Sequence, residues 1–371
     1  MEDNELIYQI ALPLLPEVGL HWSKALVWHF GSAGAVFRAT KQELLALPHM
    51  GERTADALIS GRERALERAR KEALFIEQHQ IKTYWFEDDD YPARLRELPD
   101  APTMIYTMGN IRFEGHWVAI VGTRTPTDRG VQLCHDLVTD LARKLPDITI
   151  VSGLAYGIDI CAHKAALEAG IPTIIVPAHG LDRIYPAGHR QTAVKALKQG
   201  GILTEYMSET QPEKQNFVAR KRIVAGLTEA TVVIESKDRG GSLITAGLAN
   251  DYGRDVFAFP GRPSDEIARG CNELIRKNRA ALICSADDLI YAMGWEQTSS
   301  QQTSLTEALF ADLSAEEEAV MNALRQEEDG MHVNAIAEAS GLSFPETSSI
   351  LFGLELKDLV RALPGSRYRA S

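Results

Sequence analysis

Between residues 73 and 295 the chain alternates two hydrophobic periods. Short, nearly continuous apolar runs fall at 117–121, 149–152, 173–177, 202–204, 230–235 and 255–259. Most are rich in β-branched residues and are followed by Gly, Ser or Pro. Between them lie stretches with apolar residues at helical spacing, such as 130–143 and 159–168. A strand without polar alternation is buried on both faces, so the pattern predicts a parallel sheet covered by helices on both sides. The fold class is α/β, a doubly wound sheet with its ligand crevice at the carboxyl ends of the strands.

The flanking segments read differently. In residues 1–72 apolar positions recur at helical spacing through Leu6, Ile7, Ile10, Ala11 and Leu14, and again at Leu44-Leu45. The run Leu47-Pro48-His49-Met50-Gly51-Glu52-Arg53 looks like the hairpin of a helix-hairpin-helix element, whose glycine leaves backbone amides free at the next helix start. The alternative is a hairpin that only packs, because these 72 residues hold 9 Lys/Arg against 10 Asp/Glu. Residues 296–313 are polar and rich in Gln, Ser and Thr, the composition of a linker. Residues 314–371 read as short helices followed by a hairpin, the pattern of a winged helix. The expected organisation is therefore 1–72, 73–295, a linker at 296–313, and 314–371.

Composition narrows the classes. No run of about 18 apolar residues exists, so no membrane-spanning helix is expected. The acidic start Met1-Glu2-Asp3-Asn4-Glu5 is unlike a secretory signal. Cys134, Cys161, Cys271 and Cys284 are far apart, which suits reduced thiols in a cytoplasmic protein and offers no metal-ligand spacing. A net charge of −12 argues against a uniformly basic coat but leaves room for a local basic groove.

The candidate chemistry collects at the strand ends. Gly122-Thr123-Arg124 offers close backbone approach, a hydroxyl and a planar fork of donors for phosphate. Gly153 and Gly157 allow a close strand-to-helix turn, and Asp159 can cap the helix that follows. Asp159 and His163 lie four apart, which fits either an acid–base pair or a packed histidine. Arg183, Tyr185 and Arg190 sit in a turn-rich loop after the third run. The densest cationic cluster is Arg220-Lys221-Arg222, beside Phe217 and downstream of Lys214. Cations interleaved with an aromatic suit an unpaired polynucleotide, because charge tracks the backbone and rings stack on bases. Gly240-Gly241-Ser242 opens a further helix and can form an anion nest. The dinucleotide motif G-x-G-x-x-G, the phosphate loop G-x-x-x-x-G-K-[ST], G-x-S-x-G and H-E-x-x-H are all absent, which favours binding over catalysis and calls for no cofactor or metal.

In this order the motifs resemble the DprA/Smf family. The resemblance rests on Ile120-Val121-Gly122-Thr123-Arg124, Ser152-Gly153-Leu154-Ala155-Tyr156-Gly157-Ile158-Asp159 with His163, Gly180-Leu181-Asp182, Tyr185-Pro186 and Glu205-Tyr206. It continues through Arg220-Lys221-Arg222-Ile223-Val224-Ala225-Gly226-Leu227, Gly241-Ser242-Leu243-Ile244-Thr245-Ala246, residues 253–261 and Gly270-Cys271-Asn272 with Leu274-Ile275. It implies an extended Rossmann-like domain, a SAM-like N-terminal domain and a C-terminal winged helix. It further implies a non-catalytic protein of natural transformation that binds single-stranded DNA, dimerises and loads the RecA recombinase. A dimer face around Asn272, Leu274, Ile275 and Leu282 is implied in the same way. This chain has Thr123 where the family commonly has Ser, Lys221 where it commonly has Asn, and Ala187 where some members carry a basic residue.

Two other readings stand beside this one. A nucleotide-processing enzyme similar to the lysine-decarboxylase-like (LOG) group would use the 239–242 loop with Glu235 nearby. A duplex-reading regulator would use the winged helix, but residues 306–371 carry 12 Asp/Glu against 5 Lys/Arg, the wrong balance for a recognition helix. The same balance points to a protein-interaction role for that module.

Overall fold

The computed structural model describes residues 4–295, 313–325, 330–356, 359–363 and 366–370. The chain forms two units, Met1–Met293 and Gly294–Ser371. The expected linker lies almost wholly outside the described residues.

The first unit is built on a nine-stranded sheet. Its strands are β1 (Lys82–Trp85), β2 (Met104–Gly109), β3 (His116–Val121), β4 (Ile148–Ser152), β5 (Thr173–Ile175), β6 (Gly201–Thr204), β7 (Ala230–Val233), β8 (Asp255–Ala258) and β9 (Ala281–Leu282). Their order is β1-β2-β6-β5-β4-β3-β7-β8-β9. From β6 to β9 every pairing is parallel, while β2 joins β6, and β1 joins β2, antiparallel. The apolar runs thus become the parallel strands, and β4, β5, β6 and β7 are buried along their whole length. The chain order reverses at the β3/β7 neighbours: from β3 it proceeds outward to β6, then returns to the other side. Helices leave opposite faces at that point, so a crevice opens there beyond the strand ends.

Local sequence explains the helices that frame it. Thr127 caps the helix Asp128–Lys144 by accepting from the Gly130 amide at 3.0 Å. Asp128 in its first turn and Arg143 and Lys144 in its last complement the helix dipole. After β4 the chain turns at Gly157, whose φ of +81 a side chain would strain. A Cβ there would also lie 2.1 Å from the Thr123 carbonyl oxygen.

The N-terminal helices are part of this unit. The helix Glu52–Gln78 runs through the expected boundary at 72, and Ile10, Leu26, Phe37 and Leu58 share one hydrophobic core with Trp85, Trp117, Ile223 and Leu227. The turn before that helix falls where the hairpin is expected, with Met50 buried and Gly51 exposed.

The second unit has helices Ala315–Leu324, Val333–Ser340 and Phe344–Leu356, and a sheet of β10 (Met331–His332), β12 (Arg367–Ala370) and β11 (Val360–Leu363) in that order. Ser314 and Glu317 form a reciprocal capping box at its first helix. Val320, Leu324, Ile336, Leu351 and Leu354 close its core. This is the winged-helix arrangement that the sequence predicts.

Candidate functional site

At the β3/β7 reversal lies an open cavity of about 410 Å³. Gly122, Thr123 and Arg124 line it from the end of β3, and Gly153 from the end of β4. Arg220 and Lys221 reach it from the helices before β7, and Gly240, Gly241 and Ser242 from the turn after it. The wall therefore carries Arg124, Arg220, Lys221, Lys237 and Arg239 against two carboxylates, Asp159 and Asp238. In a chain of net charge −12 this local inversion of sign makes the crevice a site for anions.

Each element is held by bonds that the sequence alone does not announce. The Thr123 amide donates to the Glu235 carbonyl oxygen at 2.8 Å, and the Ile158 amide to the Thr123 carbonyl oxygen at 3.1 Å. These bonds pin the β3 turn between its two neighbours. The Gly122 Cα faces the Ile158 side chain so closely that a Cβ would approach within 2.5 Å. Leu154 holds a left-handed φ of 61 while fully buried. Its carbonyl oxygen pairs with His189 Nδ1 at 2.8 Å, which ties the β4 loop to the next rim. Backbone strain of this kind persists only where its surroundings impose it.

The three consecutive cations separate into three roles. Arg220 is buried; its Nη1 donates to the Gly153 and Val176 carbonyl oxygens, and its Nη2 lies 3.8 Å from Asp159. Burial pushes its pKa down, with Asp159 opposing and Arg124 adding to the shift. Gly153 is required here, because a Cβ would overlap the Arg220 guanidinium. Lys221 is half-buried and donates to the Gly241 carbonyl oxygen at 2.8 Å. Burial lowers its pKa first, and the neighbouring Arg220 and Arg124 lower it further. An anion entering the cavity relieves that repulsion.

Arg222 differs from expectation. It does not line the cavity; it is half-buried and ion-paired with Glu205. A helix advances 100° per residue, so its direction departs from that of Lys221. Arg190 also stands outside the cavity, exposed at the start of the helix Arg190–Gln199.

A second recess of about 450 Å³ shares Arg124, Gly153 and Lys221 with the first. Its remaining lining includes Lys214, Phe217, Tyr156 and Tyr185. Arg124 and Arg220 each lie 5.8 Å from the Phe217 ring centroid, and Tyr185 meets Phe217 edge-on at 5.8 Å. Tyr156 and Tyr185 are about half exposed. Cation-rich crevice and aromatic shelf are thus contiguous. The Tyr185 amide donates to His179 Nε2 at 3.1 Å, and burial lowers the His179 pKa so that it stays an acceptor. The sequence reading missed Tyr156 and Lys237; a tyrosine between the strand-end glycines is the signal that pointed to the first.

The groups considered for catalysis are occupied elsewhere. The Glu235 carboxylate accepts from the Thr127 amide at 2.9 Å and the Thr127 hydroxyl at 2.5 Å. His163 is fully buried, its Nδ1 lies 2.7 Å from the Thr173 hydroxyl, and burial lowers its pKa to about 3. Asp159 accepts from the Ala155 amide at 3.3 Å and does not pair with His163. Among the described residues no group of three or more His, Cys, Asp or Glu could hold a metal ion, and all four cysteines are free. Among them, too, no helix is long and apolar enough to cross a membrane.

A doubly wound sheet with a cation-lined, glycine-walled crevice at its switch point defines an α/β protein whose crevice has the charge and backbone geometry suited to an anion. The model of the family described as DNA recombination-mediator protein A matches residues 82–294, and that of the DprA winged helix domain matches 305–366. The chain belongs to this family. It is 36% identical to Protein Smf of Synechocystis over 302 residues, 79% of this chain and 74% of that one. It is also 36% identical to DNA processing protein DprA of Streptococcus pneumoniae over 265 residues, 68% and 93% of the two chains. The X-ray structure of that S. pneumoniae protein superposes with a TM-score of 0.63 at 30% identity, covering 78% of this chain and 98% of that one. A structure giving insight into the single-stranded DNA binding mode of DNA processing protein A from Helicobacter pylori superposes with a TM-score of 0.52 at 31% identity, covering 58% and 95%.

Proposed function

We propose that the chain is a recombination mediator that binds single-stranded DNA without turnover. Arg124, Lys221 and the amides of Gly241 and Ser242 hold phosphates, with Gly122, Thr123 and Gly153 giving the backbone close approach; the Gly240 amide donates to the Lys237 carbonyl oxygen at 3.0 Å and shapes the turn. Arg220 fixes the wall. Lys214 and Phe217, with Tyr156 and Tyr185, form the shelf on which bases stack. The single observation behind this reading is the continuity of crevice and aromatic shelf, joined through Arg124, Gly153 and Lys221. Phosphate alone needs no shelf, and a free nucleotide needs no second cationic recess; an unpaired strand uses both. The use of Glu235 to hold Thr127 speaks against the nucleotide-processing alternative.

Loading of RecA and homodimer formation complete the reading. Of the residues suggested for a dimer face, Leu282 is exposed on the edge strand β9 and Ile275 is half-buried, while Leu274 is buried and Asn272 bonds to Gly261. In the winged helix, Phe344–Leu356 carries no Lys or Arg and exposes Phe344 and Phe352 beside Glu346 and Glu355, which suits a protein partner rather than duplex phosphate.

The test is a salt titration of oligo-dT binding. Log affinity should fall by about 0.7 per contacted phosphate per log unit of salt. Arg124→Ala should weaken binding roughly tenfold and make the salt dependence shallower. Unchanged affinity in that variant would sink the assignment of the crevice.

A further inference from the structure

The helix Arg190–Gln199 carries Arg190, Lys195 and Lys198 and no carboxylate. All three are exposed, and so is Lys164 on the neighbouring helix Ile158–Glu168. Among the described residues none of the four has an ion-pair partner, so their charge is not neutralised within the groove. Lys164, Lys195 and Lys198 line one groove between the two helices, together with Gln191 and Gln199. Glu168 is the one acidic residue in its lining, and it lies 3.6 Å from His135.

The fold sets where this groove begins and ends. The helix follows the Tyr185-Pro186 loop, and His189, directly before it, bonds to the Leu154 carbonyl oxygen and meets the Tyr156 ring at 4.7 Å. It therefore starts at the rim that carries the aromatic shelf. It joins β5 to the parallel strand β6, so it runs back along the flank of the sheet toward the strands' amino ends. At 1.5 Å per residue, Arg190 to Lys198 spans roughly 12 Å, long enough to follow more than one phosphate of an unpaired backbone.

We infer that this groove is a second tract for the same unpaired strand: DNA leaving the shelf passes Arg190 and continues over Lys195, Lys198 and Lys164. The inference rests on the proposed function above and adds the direction in which the strand leaves. Gln191 presents an exposed amide, the Gln199 amide nitrogen is spent on the Ala166 and Ile171 carbonyl oxygens, and no ring lines the groove. The tract therefore holds backbone without reading or stacking bases, and it contributes only to strands long enough to reach it.

The experiment compares oligo-dT of about 6 nucleotides, which fills the crevice and shelf, with one of about 20, which reaches the flank. The full chain is used throughout, alongside Lys164→Ala/Lys195→Ala/Lys198→Ala and Arg124→Ala. The triple variant changes only exposed side chains, and its melting temperature should match the parent. It should bind the short oligonucleotide as the parent does. For the long one, its salt slope should drop by about 2 and its affinity about tenfold or more at low salt. If the triple variant binds both lengths like the parent while Arg124→Ala weakens both, the tract is wrong and the crevice stands. If Arg124→Ala weakens neither, the crevice itself is wrong. A triple variant weakened equally on both lengths would also overturn the tract, because it would put these lysines at the primary site.

Discussion

Arg220, Lys221 and Arg222 show what a cationic run does and does not say at the residue scale. Their charge density marks the neighbourhood correctly. It cannot divide the labour, because successive side chains on a helix point 100° apart. Arg220 turns inward to bind carbonyls, Lys221 faces the crevice and Arg222 turns to Glu205. Arg222 therefore belongs to stability. Burial raises the Glu205 carboxyl's pKa even with the guanidinium beside it, so that carboxylate depends on its partner. Arg222→Ala should lower unfolding free energy by about 3 kcal/mol, the scale of a broken buried pair. Urea denaturation reads this, and oligo-dT affinity of the folded variant should stay at the parent value. A variant of full stability with weakened binding would return Arg222 to the DNA site.

Elements were legible where one physical requirement ruled them. The six apolar runs became β3 to β8, with bounds differing by a residue or two, because burial on both faces leaves no other composition open to them. The antiparallel β1 and β2 were missed. Lys82-Thr83-Tyr84-Trp85 is exposed at its start and buried at its end, and such a mixed edge strand carries no continuous run. Two-residue β9 is too short for any periodicity. The spacing leaves His163 open between a catalyst and a packing residue; the structure makes it the latter, and its place between the helix Ile158–Glu168 and β5 gives the pair a pH dependence. The native side chain is neutral, with a pKa lowered to about 3 mainly by burial, whereas the unfolded value is near 6.5. Below that value the unfolded chain takes up a proton that the native chain refuses. Stability is thus full above pH 6.5 and falls as pH drops toward 3, by at most about 1.4 kcal/mol per pH unit from this group. His163→Gln removes the titration and should flatten urea-derived stability between pH 6 and pH 4 by about 1 kcal/mol per unit. An equally steep variant would show that the helix–strand contact titrates through other groups.

At the scale of the whole molecule, the division of the chain is the point where sequence reading and structure part. The hydrophobic period changes near residue 72, yet the helix Glu52–Gln78 continues beyond it and its buried face belongs to the sheet's core. Glu72 is almost fully buried and accepts from Arg68, the Ser208 amide and the Ser208 hydroxyl, so the helix is bolted to the segment after β6. Lys71 adds an ion pair with Glu209, and Trp28 packs edge-on against Phe86. Periodicity within a helix reports that one face is apolar; it does not report which partner covers that face. A cut at 72 would divide the hydrophobic core that the N-terminal helices share with the sheet and orphan the Ser208 donors, while the helices and sheet after 313 close a core of their own. Residues 1–295 should therefore unfold in one cooperative transition, with the parent's near-ultraviolet dichroism. Residues 73–371 should aggregate, or bind a hydrophobic dye without fixed tertiary signal. A cooperative, DNA-binding 73–371 fragment would mean that the N-terminal helices are a separate domain after all. Oligonucleotide binding by a truncation at 72 thus tests DNA contact by those helices only once the fragment has been shown to fold.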